Sequence, residues 1–257
     1  MGKKNILKSE SANEVDFWHN TAMTDFYALI PAAGSGSRMQ GPVPKQYLEL
    51  LGQPLLWYTL SSLMHPLITH VYIVLAPGDS HFGFMNTMEF QGRITPLYCG
   101  GESRSQSVRN GLKCLENQLQ ADDFILVHDA ARPCLDNDSL DRLLELGSKD
   151  PVGAILGLPV RDTLKRMGPD CTIENTVDRE GLWVAQTPQM FRYGLLCNAL
   201  YSTTHQPTDE AQALEEMGQF GKLVEGCVEN LKITWPGDLK IARLILEARR
   251  VKDRAGV

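Results

Sequence analysis

The chain has 257 residues, a formal net charge of −6 and 43% hydrophobic residues. This length and apolar content suffice for a single α/β domain with a buried core. The acidic balance argues against nucleic acid or an anionic membrane as the main partner, because both favour a positive protein surface. No apolar stretch reaches the roughly 20 residues that span a bilayer, and the N-terminus lacks the apolar segment of a signal peptide. We therefore expect a cytoplasmic protein whose anionic ligands are met by local clusters of Arg and Lys.

The N-terminal segment, residues 1–24, is polar and irregular, so we expect a disordered extension, with Met23 as an alternative start. The six cysteines include no C-x-x-C pair and no metal-like spacing, which favours free thiols. The folded domain is expected to occupy residues 25–253.

Beyond the extension, apolar runs of strand length alternate with helical patterns. Strands are predicted at 27–32, 71–76, 94–98, 124–128 and 154–159, and helices at 54–64, 103–119 and 139–146. This order favours an α/β fold, a single Rossmann-like domain with a mostly parallel sheet and helices on both faces. In such sheets ligands bind beyond the carboxyl ends of the strands, where both the glycine loop after the first strand and Asp129 fall.

The segment from about 160 to 186 breaks this alternation. Residues 161–167 and 172–177 are short and β-prone, and the Gly-Pro-Asp between them is typical of a turn. We predict a projecting β-hairpin arm, since the segment is too polar for the core. An exposed hairpin suits packing on a second subunit, and a surface hairpin without a partner is the alternative.

Three helices are predicted after the arm. The first begins at about Arg192, the second has Thr208 as its N-cap, and the last begins near Pro236.

A glycine-rich loop, A-A-G-S-G-S-R-M at residues 32–39, follows the first strand, and P-K-Q-Y comes after it at 44–47. A dinucleotide fingerprint would have glycine where Met39 stands, and a Walker A loop would have Lys and Ser or Thr after its last glycine. What remains is a loop whose backbone N–H groups can approach a polyphosphate, with Arg38 and Lys45 to neutralise its charge. The loop therefore indicates phosphate chemistry on a nucleoside triphosphate.

Together with segments further along, this loop resembles the signature of the 2-C-methyl-D-erythritol 4-phosphate cytidylyltransferases, enzymes of the non-mevalonate isoprenoid pathway. The further segments are G-G-E-S-R-S-Q-S-V from Gly100, V-H-D-A-A-R-P from Val127, P-V-R-D-T-L-K-R from Pro159, T-V-D-R-E-G-L-W from Thr176, Q-T-P-Q-M-F from Gln186, T-D-E-A from Thr208 and V-E-N-L-K-I-T from Val228. The resemblance runs from about residue 26 to the end of the chain. It implies a nucleotidyltransferase domain, CTP and methylerythritol phosphate as substrates, Mg2+ as cofactor and a homodimer formed through the arm.

The resemblance also implies roles for individual residues. The catalytic cations are Arg38, Lys45, Arg179 and Lys232, and Asp129 is the metal ligand. The nucleotide-binding residues are Ala32, Ala33, Gly34, Gly36, Gly100, Arg104, Ser107, Asp129 and Ala130. The residues that bind the acceptor substrate are Arg132, Thr163, Thr187 and Thr208. Because Arg179 and Thr163 fall on the arm, the site can be composite, with Arg132, Thr163 and Arg179 supplied by the opposite subunit.

The transfer of a cytidylyl group from CTP to a phosphate monoester needs positioning and charge neutralisation more than proton transfer. The reason is that a phosphate monoester is already a nucleophile at pH 7. His128, beside Asp129, is accordingly left out of the catalytic set. Three alternatives stay open: a ribitol-5-phosphate cytidylyltransferase, a non-catalytic nucleotide-binding protein, and a dehydrogenase, the last opposed by Met39.

Overall fold

The computed structural model describes residues 24–34 and 43–255. The expected N-terminal extension and loop residues Gly36 and Arg38 lie outside the described residues. The strands are β1 Phe26–Pro31, β2 Glu49–Leu50, β3 Gln53–Pro54, β4 Ile68–Val74, β5 Ile94–Leu97, β6 Phe124–Val127, β7 Gly153–Pro159, β8 Leu164–Met167, β9 Ile173–Val177, β10 Trp183–Arg192 and β11 Lys222–Glu225. The helices are α1 Leu55–Ser61, α2 Arg104–Cys114, α3 Asn137–Ser148, α4 Tyr193–Ser202, α5 Glu210–Glu215 and α6 Pro236–Ala255.

Seven strands form the main sheet, in the order β11-β7-β10-β6-β1-β4-β5. The pairs of β1 with β4 and β6, of β4 with β5, and of β7 with β11 are parallel, while β10 runs antiparallel to β6 and β7. The predicted single α/β domain with a mostly parallel sheet is confirmed.

Side-chain alternation along β1 explains why helices cover both faces. Ala28 and Ile30 pack into a cluster with α1 and α3, whereas Leu29 between them packs into a second cluster with α2 and α4. Successive side chains of a strand point to opposite faces, so an unbroken apolar run marks a strand buried on both sides. A third, smaller cluster joins α1 to α6.

The arm lies outside this sheet as a separate hairpin of β8 and β9, as predicted. Its apolar side chains Met167 and Ile173 are 70% and 69% exposed. The arm therefore presents a surface that the rest of the described chain does not cover.

Two sheet strands differ from the sequence prediction. β10 was missed because its centre carries Gln186, Thr187 and Pro188 instead of an apolar run. Its pairing with β7 is interrupted between Ala185 and Gln189, so the proline sits at an irregularity and needs no ladder hydrogen bond. The edge strand β11 is short and mostly exposed, which leaves almost no apolar signal.

The predicted cap of α5 is wrong by one residue. Asp209, not Thr208, occupies the N-cap, and its Oδ1 accepts the backbone N–H of Gln212 at 3.0 Å. A carboxylate serves this position as well as a hydroxyl, so the sequence alone did not separate them.

All six cysteines are free thiols. Within the described part of the chain, no helix is both long enough and apolar enough to cross a membrane.

Candidate active site

The predicted nucleotide residues converge at the carboxyl edge of the sheet, as expected for an open α/β fold. One cleft is lined there by the start of the glycine loop, the start of α2 and the segment after β6. Its lining includes Ala32, Ala33, Gly34, Lys45, Arg104, Ser107, Asp129, Ala130 and Lys232. These nine residues come from five separate stretches of the sequence and share one cavity.

The loop before α2 lies very close to the glycine loop. A Cβ on Gly100 would come within 2.2 Å of the Cβ of Ala33 and 2.7 Å of the carbonyl oxygen of Leu75. Glycine is therefore required at this position for the two loops to meet. Ser107 holds the second loop from α2, because its hydroxyl accepts the backbone N–H of Gly101 at 3.1 Å.

A second cleft adjoins the first and is lined by β10, the segment before α5 and the loop before α6. Its lining includes Arg132, Thr187 and Thr208, three of the four residues expected to bind the acceptor. Arg132, which was expected from the opposite subunit, thus lies in a cleft of its own chain, where Asp129 and the Asn230 carbonyl hold it. The two clefts share Arg104, Asp129 and Lys232. These three side chains form a common wall, which we call the shared wall.

Ion pairs hold the shared wall together. The Asp129 carboxylate accepts the Arg104 Nε–H at 2.7 Å and lies 2.8 Å from the Lys232 ammonium and 3.5 Å from the Arg132 Nε. Burial alone would raise the pKa of Asp129, but Arg104, Lys232 and Arg132 outweigh burial and hold that pKa well below its usual range. Asp129 is therefore an anion that cations surround at the junction of the two clefts.

The neighbouring His128 is structural, in line with its omission from the catalytic set. It is fully buried, with Nε2 3.2 Å from the carbonyl oxygen of Arg132 and Nδ1 3.0 Å from the hydroxyl oxygen of Thr187. That hydroxyl in turn accepts the backbone N–H of Asp129 at 3.0 Å. These contacts fix the tautomer that carries the proton on Nε2. Burial lowers the pKa of His128 to about 4, against the opposing field of Asp129, so the ring is neutral at pH 7.

Two predicted catalytic cations reach the first cleft from different elements. Lys45 begins a short 3-10 helix, and its ammonium donates to the carbonyl oxygen of Ile233 at 2.8 Å. Lys232 precedes Ile233 in the loop before α6 and is 40% exposed. The neighbouring residue Gln46, which was not predicted, is buried and donates to the carbonyl oxygen of Ala32 at 2.7 Å.

The remaining predicted residues, Thr163 and Arg179, lie at the base of the arm. Both are exposed, and the Arg179 guanidinium donates to the carbonyl oxygen of Arg161. Neither lines the two clefts of its own chain.

Sequence reasoning missed three buried polar residues next to the shared wall, one of which, Gln189, also lines the second cleft. Glu210, Gln189 and Asn230 are at most 1% exposed. Their only signal was membership of the motifs T-D-E-A, Q-T-P-Q and V-E-N-L-K.

Comparison with known proteins shows to which family the chain belongs. The model of the family described as 2-C-methyl-D-erythritol 4-phosphate cytidylyltransferase matches residues 26–248. The chain belongs to this family. It is 48% identical over 229 residues to the protein of that name from Nitrosospira multiformis, covering 88% of this chain and 99% of the relative. The protein of the same name from Dechloromonas aromatica is 49% identical over 229 residues, covering 89% and 100%.

Solved structures agree. The crystal structure of a 4-diphosphocytidyl-2C-methyl-D-erythritol synthase superimposes with a TM-score of 0.75 at 38% identity, covering 87% of this chain and 99% of that one. The Francisella tularensis 2-C-methyl-D-erythritol 4-phosphate cytidylyltransferase superimposes with a TM-score of 0.74 at 34% identity, covering 86% and 100%. The family resemblance inferred from the ordered motifs is confirmed.

Proposed function

We propose that this chain transfers the CMP moiety of CTP to 2-C-methyl-D-erythritol 4-phosphate, releasing pyrophosphate and forming 4-diphosphocytidyl-2-C-methyl-D-erythritol. One oxygen of the acceptor phosphate attacks the α-phosphorus of CTP, and the bond from that phosphorus to the bridging oxygen of pyrophosphate breaks. The observation that carries the proposal is the pair of clefts with a common cationic wall, in a chain that the family model matches almost throughout. Two anionic substrates need such a junction to meet in line.

The first cleft is the proposed CTP site. Ala32, Ala33 and Gly34 of the glycine loop line this cleft and leave the backbone accessible. Gly100 allows the facing loop to approach them, and Ser107 holds that loop. Lys45, together with Arg38 from the glycine loop, is proposed to neutralise the triphosphate and the charge that develops as pyrophosphate departs.

The second cleft is the proposed acceptor site. Arg132, Thr187 and Thr208 line it, and Lys232 stands between it and the CTP site. An ammonium at that junction can aim the acceptor phosphate at the α-phosphorus.

We propose that a divalent cation binds at this site together with CTP, whose phosphate oxygens supply part of its ligands. Within residues 24–34 and 43–255, no three His, Cys, Asp or Glu side chains come together as a metal site. Mg2+ commonly takes one or two protein carboxylates and completes its shell with phosphate oxygens and water. We propose that Asp129 is the protein carboxylate and that the bound ion adds neutralisation of phosphate charge.

A homodimer is proposed to complete the acceptor site. Arg179 and Thr163 are exposed on an arm whose apolar residues are also uncovered, which is the arrangement expected if the arm packs on a second copy. We propose further that residues 25–253 form the catalytic domain, that the segment before them is an extension, and that the protein acts in the cytoplasm.

Pyrophosphate release tests the proposal. With CTP and Mg2+, we expect release with 2-C-methyl-D-erythritol 4-phosphate and little with ribitol 5-phosphate, with no acceptor, or with other nucleoside triphosphates. Release only with ribitol 5-phosphate would keep the chemistry and replace the acceptor. Binding of CTP without release with either acceptor would replace the proposal by a nucleotide-binding role.

A further inference from the structure

Glu210 is a buried carboxylate behind the shared wall. Its side chain is 2% exposed, and its two oxygens accept from the two terminal nitrogens of Arg104 at 2.7 and 2.9 Å. The third nitrogen of the same guanidinium, Nε, donates to Asp129. Arg104 is thus held between two carboxylates, one in the site and one behind it.

Gln189 fixes the carboxylate behind the wall in place. Its side-chain oxygen accepts the backbone N–H groups of Glu210 and Ala211 at 3.1 and 3.0 Å. Its amide nitrogen donates to the Asp209 Oδ2 at 2.9 Å, while the other oxygen of Asp209 caps α5. The central strand β10 therefore determines where α5 begins and where the Glu210 side chain points.

The hydrogen-bond count of Arg104 leaves capacity for a ligand. A guanidinium has five N–H groups, and the two carboxylates take three of them. Among the described residues, no acceptor takes the other two. The Arg104 side chain is 26% exposed and lines both clefts, so these donors are available where the substrates are proposed to bind.

Glu210 also affects the balance of charge around Asp129. Three cations face Asp129, and Glu210 is the carboxylate that offsets the charge of one of them. Buried ion pairs are weak sources of net stability, so the Arg104–Glu210 pair needs an explanation other than holding α5 to α2.

We propose that Glu210 is a positioning residue for nucleotide binding. It acts through Arg104, which its bidentate contact keeps in one rotamer on the shared wall, with two N–H groups toward the clefts. This inference rests on the proposed function, because it takes CTP as the ligand of the first cleft. Glu210 itself does not contact the substrate.

A double-mutant cycle tests the proposal. The dissociation constant for CTP with Mg2+ is measured by calorimetry in the wild type, in Glu210→Gln, in Arg104→Met and in the double variant. We expect Glu210→Gln to weaken CTP binding about tenfold when Arg104 is present and less than about twofold when it is absent, since contacting charged residues couple strongly. Thermal unfolding of each variant shows whether the fold persists.

The control is Glu216→Gln. Glu216 is the C-cap of α5 and pairs with His205 at 2.8 Å, away from the clefts. This substitution removes one carboxylate at the opposite end of the same helix, and CTP binding should stay within about twofold of the wild type. Glu210→Asp supplies a second variant that keeps the charge but shortens the side chain, and its CTP affinity should fall between those of the wild type and Glu210→Gln.

The outcomes separate two failures. A wild type that does not bind CTP contradicts the proposed function. A wild type that binds CTP, with folded Glu210→Gln and Glu210→Asp variants that bind it equally well, overturns the positioning role. The role is also overturned if Glu210→Gln weakens binding equally with and without Arg104.

Discussion

Arg104 and Arg179 are both arginines to which the family resemblance assigned substrate contacts, yet their surroundings differ completely. Arg104 lies on the shared wall between two carboxylates, each within 3 Å, that are supplied by distant parts of the same chain. Arg179 is exposed at the base of the arm, and its described contact is a backbone carbonyl. A single chain therefore supplies the described contacts of the shared wall, whereas the same chain leaves Arg179 and the arm exposed.

Substitution of Lys45, which lines the first cleft beside the shared wall, should have the largest effect on activity. We expect Lys45→Ala to lower kcat about 10²- to 10³-fold, because removing a cation that stabilises developing charge typically costs this much. Steady-state pyrophosphate release measures the effect, and thermal unfolding should show a folded protein. The matched control is Lys149→Ala, at the exposed C-cap of α3, where the lysine pairs with Glu145. A Lys45→Ala variant with near-wild-type kcat would remove Lys45 from the mechanism.

The pH dependence of stability tests whether His128 is buried and neutral next to the shared wall. The pKa of His128 in the folded state is about 4, below its ordinary value near 6.5. The unfolded chain therefore takes up the proton first, and stability is lost as the pH falls from about 6.5 toward 4, by up to about 3 kcal/mol. Urea unfolding at pH 7 and at pH 5 measures this loss, which should be smaller in His128→Asn. An equal pH dependence in both proteins would show that His128 does not determine it.

Substitution of Arg179 tests whether the arm contributes to binding of the acceptor substrate. If Arg179 binds the acceptor phosphate from a second copy, Arg179→Ala should raise the KM for methylerythritol phosphate about tenfold to a hundredfold, the value of one charge-assisted hydrogen bond. The affinity for CTP should stay unchanged.

Mixing variants shows which copy supplies Arg179. When Arg179→Ala and Lys45→Ala chains are unfolded and refolded together in equal amounts, about a quarter of the sites should be intact if the arm acts across the dimer. No recovery of activity, with dimers formed, would place Arg179 in its own chain's site or outside the mechanism.

The substitution Gly100→Ala should have the smallest effect on activity. A Cβ there would meet Ala33 and the Leu75 carbonyl, so Gly100→Ala should push the two loops of the first cleft apart at a cost of about 1–3 kcal/mol. CTP affinity should fall while the KM for the acceptor changes little. Gly83→Ala is the control, because a Cβ on Gly83 would have nothing within 4 Å. Equal CTP affinity in both variants would mean that the loops adjust freely.

Apolar runs predicted five of the seven strands of the main sheet, and the turn between two β-prone segments predicted the arm. The ordered motifs predicted many of the residues that line the two clefts. The sequence did not predict β10, in which Thr187 and Gln189 are buried with polar partners contributed by other elements. The role of Glu210 was equally hidden, since its partner Arg104 lies 106 residues away. Long-range polar contacts leave no periodic signal in one sequence.

The proposed transfer of CMP to the phosphate of 2-C-methyl-D-erythritol 4-phosphate can be followed by ³¹P NMR of the reaction mixture. With enzyme, CTP, Mg2+ and this acceptor, we expect the acceptor's phosphate monoester signal to be replaced by the two coupled signals of a diphosphate diester, together with pyrophosphate. Persistence of the monoester signal, with CTP unchanged or hydrolysed to CMP, would contradict the proposed transfer.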